Sequence, residues 1–395
     1  EYLEEVRKIL HNKPYTVVGK NIRRVDAIDK VTGLAKYTTD YLIENALVVK
    51  PVRSPYPHAV VKKISKTSAL KVAGVEAVVT AEDVPGVNEV VYMVPDQPLI
   101  TNKARYVGDI VALIVAKDEE AAWQGVDALK VEYEELPAIF DPLEALNSDI
   151  RLHENDNIAG VVRIRKGDVE EAFRQCDVIV ERTYQAGSQE HAYLEPEAAL
   201  AIPTGHRSIT VIGTTQNPFR TRATVASILG WEHADVTIIT PYIGGAFGGK
   251  DTYGPIICSL PALVAAKLSK PAMIVYSRYE SAAYRFKRAP FEIKYKTGAA
   301  RDGKLLAVQV DYMVEAGAYS TQAIGLMKRA AYHATGVYEV PNVKVDGKAV
   351  YTNNLPSAAF NGYGNPQMLF AAESQVELLA EELNLDPVEF RLKNV

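Results

Sequence analysis

At 395 residues, with 48% hydrophobic and 24% charged side chains, the chain is long enough for two or three domains with substantial cores and falls outside the disordered class. A formal charge of -5, with both signs interleaved, and the lack of any run of about 18 apolar residues argue against a nucleic-acid surface and a membrane span. Only two cysteines, Cys176 and Cys258, occur, in unrelated contexts; they make neither a disulfide framework nor an iron–sulfur ligand set, so a reducing, cytoplasmic setting is expected.

In chain order, residues 1–12 form an amphipathic pattern of acids and bases without the apolar stretch of a signal peptide, and an N-terminal helix is expected over 1–14. Residues 15–146 alternate β-rich runs with turns. Strands are predicted over 46–49, 76–79 and 110–116, a helix over 117–129, and a strand over 130–134. This predicts a compact α+β domain. The polar stretch 147–157 predicts a surface linker.

A second α+β domain is expected over 158–395. Strands are predicted over 178–184, 199–202, 208–213, 236–240, 272–276, 291–296 and 305–314, with a helix over 222–229 and a buried apolar helix over 262–268. Leu369, Ala372, Val376, Leu379 and Leu383 recur at spacings of three and four, which gives one apolar helical face. Asp386-Pro387-Val388-Glu389 then opens a capped helix close to Val395. That pattern fits either a domain completed by another polypeptide or a short terminal helix.

Four segments could carry chemistry. Gly244-Gly245-Ala246-Phe247-Gly248-Gly249-Lys250-Asp251 lets backbone approach a ligand and aim N–H groups at an anion, with Lys250 adding a charge; a glycine-rich bulge around a buried phenylalanine is the competing reading. Thr214-Thr215-Gln216-Asn217-Pro218 ends a strand on a carboxamide, or is a polar turn. Ala359-Phe360-Asn361-Gly362-Tyr363-Gly364-Asn365-Pro366-Gln367 is a tight entry to a helix, with Tyr363 either packed or facing a cleft. Arg329 lies in an apolar stretch and is expected to be buried against an anionic partner, structural or substrate. His191 is expected in a structural, hydrogen-bonded role rather than as a metal ligand.

Together these segments, in this order, resemble the molybdenum hydroxylases of the xanthine dehydrogenase and aldehyde oxidase type. The stretches Val25 to Tyr37, Arg53-Ser54-Pro55-Tyr56-Pro57-His58-Ala59, Tyr106-Val107-Gly108-Asp109 and Tyr338-Glu339-Val340-Pro341-Asn342-Val343 extend the similarity over nearly the whole chain after Tyr15. The resemblance implies an α/β-hammerhead domain followed by the first part of a molybdopterin-binding α+β domain. It implies that Gln216 hydrogen-bonds a ligand of molybdenum, and that Gly245, Ala246, Phe247, Gly248, Gly249 and Asn361 line the metal and pterin. Asp251 and Tyr363 would contact substrate, and Arg329 would both contact it and stabilise its developing charge.

The implied reaction is hydroxylation of an N-heteroaromatic or aldehyde carbon with water, electrons leaving to iron–sulfur and flavin (FAD) subunits. The family's catalytic glutamate lies in its C-terminal half, so a second molybdopterin subunit carrying that half is expected, an organisation similar to that of nicotinate dehydrogenase. The cofactor is expected in its dinucleotide form. Reductive dehydroxylation of an aromatic thioester and a non-catalytic scaffold role are the alternatives. Asn361 replaces the arginine common in the family, which bears on substrate choice. The lack of cysteine in the 362–364 loop argues against the copper-bearing carbon monoxide dehydrogenase variant.

Overall fold

The computed structural model describes residues 15–395 together with Glu4, Glu5, Arg7 and Lys8, so the helix expected over 1–14 lies outside the described residues apart from those four. The first third of the chain supplies β1 (Leu47–Arg53), β2 (Ala59–Ser65), β3 (Val75–Val79), β4 (Lys103–Ala104), β5 (Ile110–Ala116) and β6 (Lys130–Glu135). Next come β7 (Ile158–Lys166), β8 (Val178–Ala186), β9 (Ala198–Gly205), β10 (Ser208–Gly213), β11 (Val236–Ile239) and β12 (Ala272–Val275). The rest are β13 (Lys287–Arg288), β14 (Phe291–Ala299), β15 (Leu305–Gly317), β16 (Asn342–Tyr351) and β17 (Ser357–Ala358).

The largest sheet has the order β11-β10-β9-β12-β1-β5-β3 and draws strands from both sides of the 147–157 segment. β1 joins β12 in parallel, with Leu47 opposite Ala272. β5 is buried at every residue because both of its faces are covered. Leu113 and Val115 join a core beneath the helix Gly254–Leu268, while Val111, Ala112 and Ile114 pack with Val52 and Leu129 on the other side. The Ile110–Ala116 strand coincides with its sequence expectation.

The 147–157 segment lies at the surface with most of its residues exposed, but it is anchored at two points. Leu152 is fully buried, and the Asn157 amide donates to the carbonyls of Ala145 and Ile150, which docks the segment on the second core. That core lies between the sheet β7-β16-β15-β14-β8 and the helices Ala323–Tyr332 and Asn365–Glu382. β7 and β16 are strands the sequence reading missed. β7, an edge strand, carries Arg163, Arg165 and Lys166 on largely exposed positions, and β16 runs unbroken through Gly347, a poor strand former in sequence, on which the Tyr312 ring packs.

Two parallel pairings position the candidate site. β10 and β11 run side by side with Ile212 opposite Ile239, so the segments leaving both strands emerge on the same side. β13 and β17 pair with Arg288 opposite Ala358, which carries the 359–364 loop to that region.

Candidate functional site

Thr214 and Thr215 are buried at the end of β10, and Asn217 caps the helix Pro218–Leu229 by accepting the Arg220 N–H, with Pro218 in its first turn. Gln216, between them, is forced outward. Its backbone N–H donates to the Lys250 carbonyl at 3.2 Å, and its Oε1 accepts the Gly248 N–H at 3.2 Å. Only the oxygen of a carboxamide can accept an N–H, so the Gln216 NH2 group keeps its donors for something else.

The glycine loop is shaped by left-handed backbone at Gly245 (φ 95), Phe247 (φ 52) and Gly248 (φ 108). A Cβ on Gly248 would lie 2.7 Å from the Ala359 carbonyl oxygen, so the loop lies directly on the 359–363 segment. The Asn361 N–H donates to the Phe247 carbonyl at 3.0 Å, and the Gly249 N–H turns back to Ala246 at 2.8 Å. Phe247 is not the buried ring of the bulge reading: it is 46% exposed. The Asn361 side chain is also exposed.

Two sequence expectations need correction. Lys250 offers no charge to a ligand at the loop, because it is buried and its Nζ pairs with Glu195 at 2.7 Å. Arg329 is exposed rather than buried: the helix Ala323–Tyr332 turns Leu326, Met327, Ala330 and Ala331 to the core and leaves residue 329 outside. The Asp251 carboxylate is fixed by three donors. It accepts from Tyr92 Oη at 2.9 Å, Asn217 Nδ2 at 3.2 Å and Gln322 Nε2 at 2.5 Å.

Tyr363, at φ 50, lies across the Arg329 helix. Its hydroxyl sits 2.3 Å from where a Cβ on Gly325 would be, so the glycine lets the ring lie close against this helix. Burial and the Asp251 carboxylate raise its pKa, against the opposing charges of Arg220 and Arg329. The structure therefore brings Gln216, the glycine loop, Asn361, Asp251, Tyr363 and Arg329 into one neighbourhood, through three loops and two helices, the short Gly249–Thr252 and Ala323–Tyr332.

Sequence reasoning missed the charge network beneath them. Glu195 Oε2 accepts the Gly244 N–H at 2.8 Å as well as Lys250. Fully buried Arg285 pairs with Glu190 and, at 3.0 Å, with Glu197, which also accepts the Tyr193 hydroxyl. Arg285 Nη1 donates to His191 Nδ1 at 2.6 Å, and His191 Nε2 donates to the Ala359 carbonyl at 2.6 Å. Burial drives His191 down to about 4, so the ring is neutral with its proton on Nε2. Burial likewise pushes Glu197 up to about 7 and Lys287 down to about 7. The Gln189-to-Glu197 run of acids around a histidine was the available signal, but its basic partners lie some ninety residues later, at 285 and 287. Among the described residues no group of three or more His, Cys, Asp or Glu side chains is placed to hold a metal ion, and no helix is long and apolar enough to cross a membrane.

Comparison with known proteins agrees with this architecture. Residues 152–395 match the molybdopterin cofactor-binding domain family, and residues 32–137 match the a/b hammerhead domain of aldehyde oxidase and xanthine dehydrogenase. The chain belongs to this molybdopterin-binding family. The large molybdopterin subunit of nicotinate dehydrogenase from Eubacterium barkeri is 39% identical over 97% of this chain and 90% of its own length. A probable xanthine dehydrogenase subunit from Bacillus subtilis is 38% identical over 97% of this chain but only 51% of its own. The aldehyde oxidoreductase of Desulfovibrio gigas superposes with a TM-score of 0.89 at 31% identity, covering 94% of this chain and 43% of that one. This chain thus spans about half the length of the latter two. These homologues are molybdenum oxidoreductases.

Proposed function

We propose that the chain is the molybdopterin-binding subunit of a multi-subunit molybdenum hydroxylase. It would act on a carbon of an N-heteroaromatic ring or an aldehyde, and pass electrons to iron–sulfur and flavin subunits. A second molybdopterin subunit would share the cofactor, in its dinucleotide form, and bring the catalytic glutamate. The observation that carries this reading is Gln216: its oxygen is held by Gly248, next in the chain to the exposed Phe247, while its NH2 donors meet no acceptor among the described residues.

The residues fit such a group. Backbone that excludes a Cβ at Gly248, an aromatic ring left in solvent and an uncommitted carboxamide donor suit a flat, acceptor-rich ligand better than a packed core. Gly245, Ala246, Phe247, Gly248, Gly249 and Asn361 would line it, and Gln216 would donate to an acceptor ligand of the metal. When bound, the molybdenum–molybdopterin group supplies a two-electron oxidation with oxygen taken from water. Tyr363 would offer its face to a planar substrate, Asp251 a carboxylate fixed by three donors, and the exposed Arg329 a charge to stabilise negative charge developing on the substrate.

The test is turnover by the complex purified with its partner chains, assayed with N-heterocycles and aldehydes against an electron acceptor, and with aromatic thioesters against a low-potential donor. Oxidation of the first group supports the reading. Activity confined to thioesters, or none in a molybdenum-loaded complex, contradicts it.

A further inference from the structure

One side chain joins Asp251 to the 359–363 loop. Gln322 is fully buried; its Nε2 donates to Asp251 Oδ2 at 2.5 Å, and its Oε1 accepts the Ala359 N–H at 2.8 Å. It stands at the N-cap of the helix Ala323–Tyr332, where a side chain ordinarily bonds the N–H groups of the first turn, yet it makes no such bond. Both of its polar ends are turned to the site instead. The residues before it are held just as firmly. Ser320 donates its N–H to Asp96 Oδ2 at 2.6 Å. Thr321 sits at φ 37, a strained value for a β-branched residue, with its hydroxyl on the Ser357 carbonyl.

The consequences reach the carboxylate itself. Asp251 Oδ2 takes two donors, Gln322 and the Tyr92 hydroxyl, while Oδ1 takes only the Asn217 amide. A carboxylate oxygen accepts two hydrogen bonds, so the open acceptor direction lies on Oδ1. Burial and the Asp251 carboxylate raise the Tyr92 pKa, which keeps that phenol a donor. The helix that Gln322 opens also carries Arg329 and Gly325, against which Tyr363 lies. Tyr92, Tyr363, Arg220 and Arg329 are the other titratable or charged groups felt around Asp251 and Tyr363.

We infer that Gln322 is a positioning residue: it holds Asp251 and the 359–363 loop in one fixed relation, so that Oδ1 and the Tyr363 ring meet the substrate together. This rests on the hydroxylase reading above. An amide suits the task because it gives a donor to the acid and an acceptor to the N–H without adding charge. A carboxyl in its place does both only while protonated, since two carboxylates cannot both ionise in so close a site.

Gln322→Glu and Gln322→Met are compared with the wild type in the cofactor-loaded complex, with N-heterocycles and aldehydes as substrates. Per molybdenum, and relative to the wild type at the same pH, Gln322→Glu should keep its kcat/KM near about pH 5 and lose about tenfold or more by about pH 8, as the introduced carboxyl gives up its proton. Gln322→Met should show the loss at both. Hydrogen exchange gives a measure that needs no turnover. The Asn361 amide bonds Phe247 and not Gln322, so its protection should fall in Gln322→Met at every pH, and in Gln322→Glu only as pH rises. A merely structural role would lower the melting temperature and leave both measures unmoved. A Gln322→Glu profile parallel to the wild type, a Gln322→Met complex as active as the wild type, or Asn361 protection unchanged in both variants overturns the proposal. A wild-type complex that oxidises neither substrate class counts against the hydroxylase reading, and Asn361 protection still decides the role of Gln322.

Discussion

The Nε2–H of His191 donates to the carbonyl of Ala359 at 2.6 Å. A side chain in the segment between β8 and β9 thereby fixes the loop that presents Asn361 and Tyr363. On the other face of the same residue, the Ala359 N–H donates to Gln322 Oε1 at 2.8 Å, and Gln322 donates to Asp251. The 359–363 loop is clamped from both sides by buried side chains.

Replacing His191 with alanine leaves the Ala359 carbonyl and the Arg285 guanidinium short of a partner in a buried site. The cost is about 1–3 kcal/mol for a buried group left unsatisfied. Denaturant unfolding should register that loss, and hydrogen exchange at the Asn361 amide, now bonded to Phe247, should accelerate.

The same imidazole predicts a pH dependence. Its pKa is held near 4 in the folded chain and is about 6.5 when unfolded, so within that window only the unfolded state takes up the proton. The stability it contributes is complete above about 6.5 and is lost as pH falls toward about 4, at up to about 1.4 kcal/mol per pH unit. The stability difference between wild type and His191→Gln, whose amide can meet both partners, should shrink on acidification across this range. A difference independent of pH would contradict the assignment of a neutral ring.

Lys250→Met removes the cation from a buried pair and leaves Glu195 beneath the glycine loop with the Gly244 N–H alone. Breaking such a pair costs about 3–5 kcal/mol. Adding Glu195→Gln should recover much of that loss, because the uncompensated charge disappears; equal melting temperatures for the single and double variants would refute this.

Gly248→Ala meets two obstacles, a φ of 108 and a carbonyl oxygen 2.7 Å from the new Cβ. The loop must move away from Ala359, which breaks the Asn361–Phe247 bond. Since both cores lie elsewhere, circular dichroism should be close to wild type while the cofactor content of the purified complex falls severalfold or more.

Much of the fold was legible where one physical signal dominated. The apolar run 110–116 gave its strand without error because a strand buried on both faces has no polar alternation. The helix at 365–382 followed from the spacing of Ala372, Val376 and Leu379, all buried. The edge strand β7 was missed because its charged outer positions mask the pattern, and Leu152 because two apolar residues, Ile150 and Leu152, in a polar stretch are too few to show a period. At the site, the glycine and carboxamide segments stood out in the sequence, each beside a competing structural reading, and the Gly248–Gln216 bond that brings them together is a contact no local pattern encodes. Nor were the directions of Lys250 and Arg329 legible: which way a charged side chain turns depends on partners far along the chain, Glu195 for one and the helix's apolar face for the other.

Molybdenum and pterin analysis of the intact complex tests the central claim most directly. The account predicts both in amounts matching this chain, and loss of both in Gly248→Ala. A folded, partner-bound chain devoid of molybdenum and pterin, purified from cells that load other molybdenum enzymes, would contradict it.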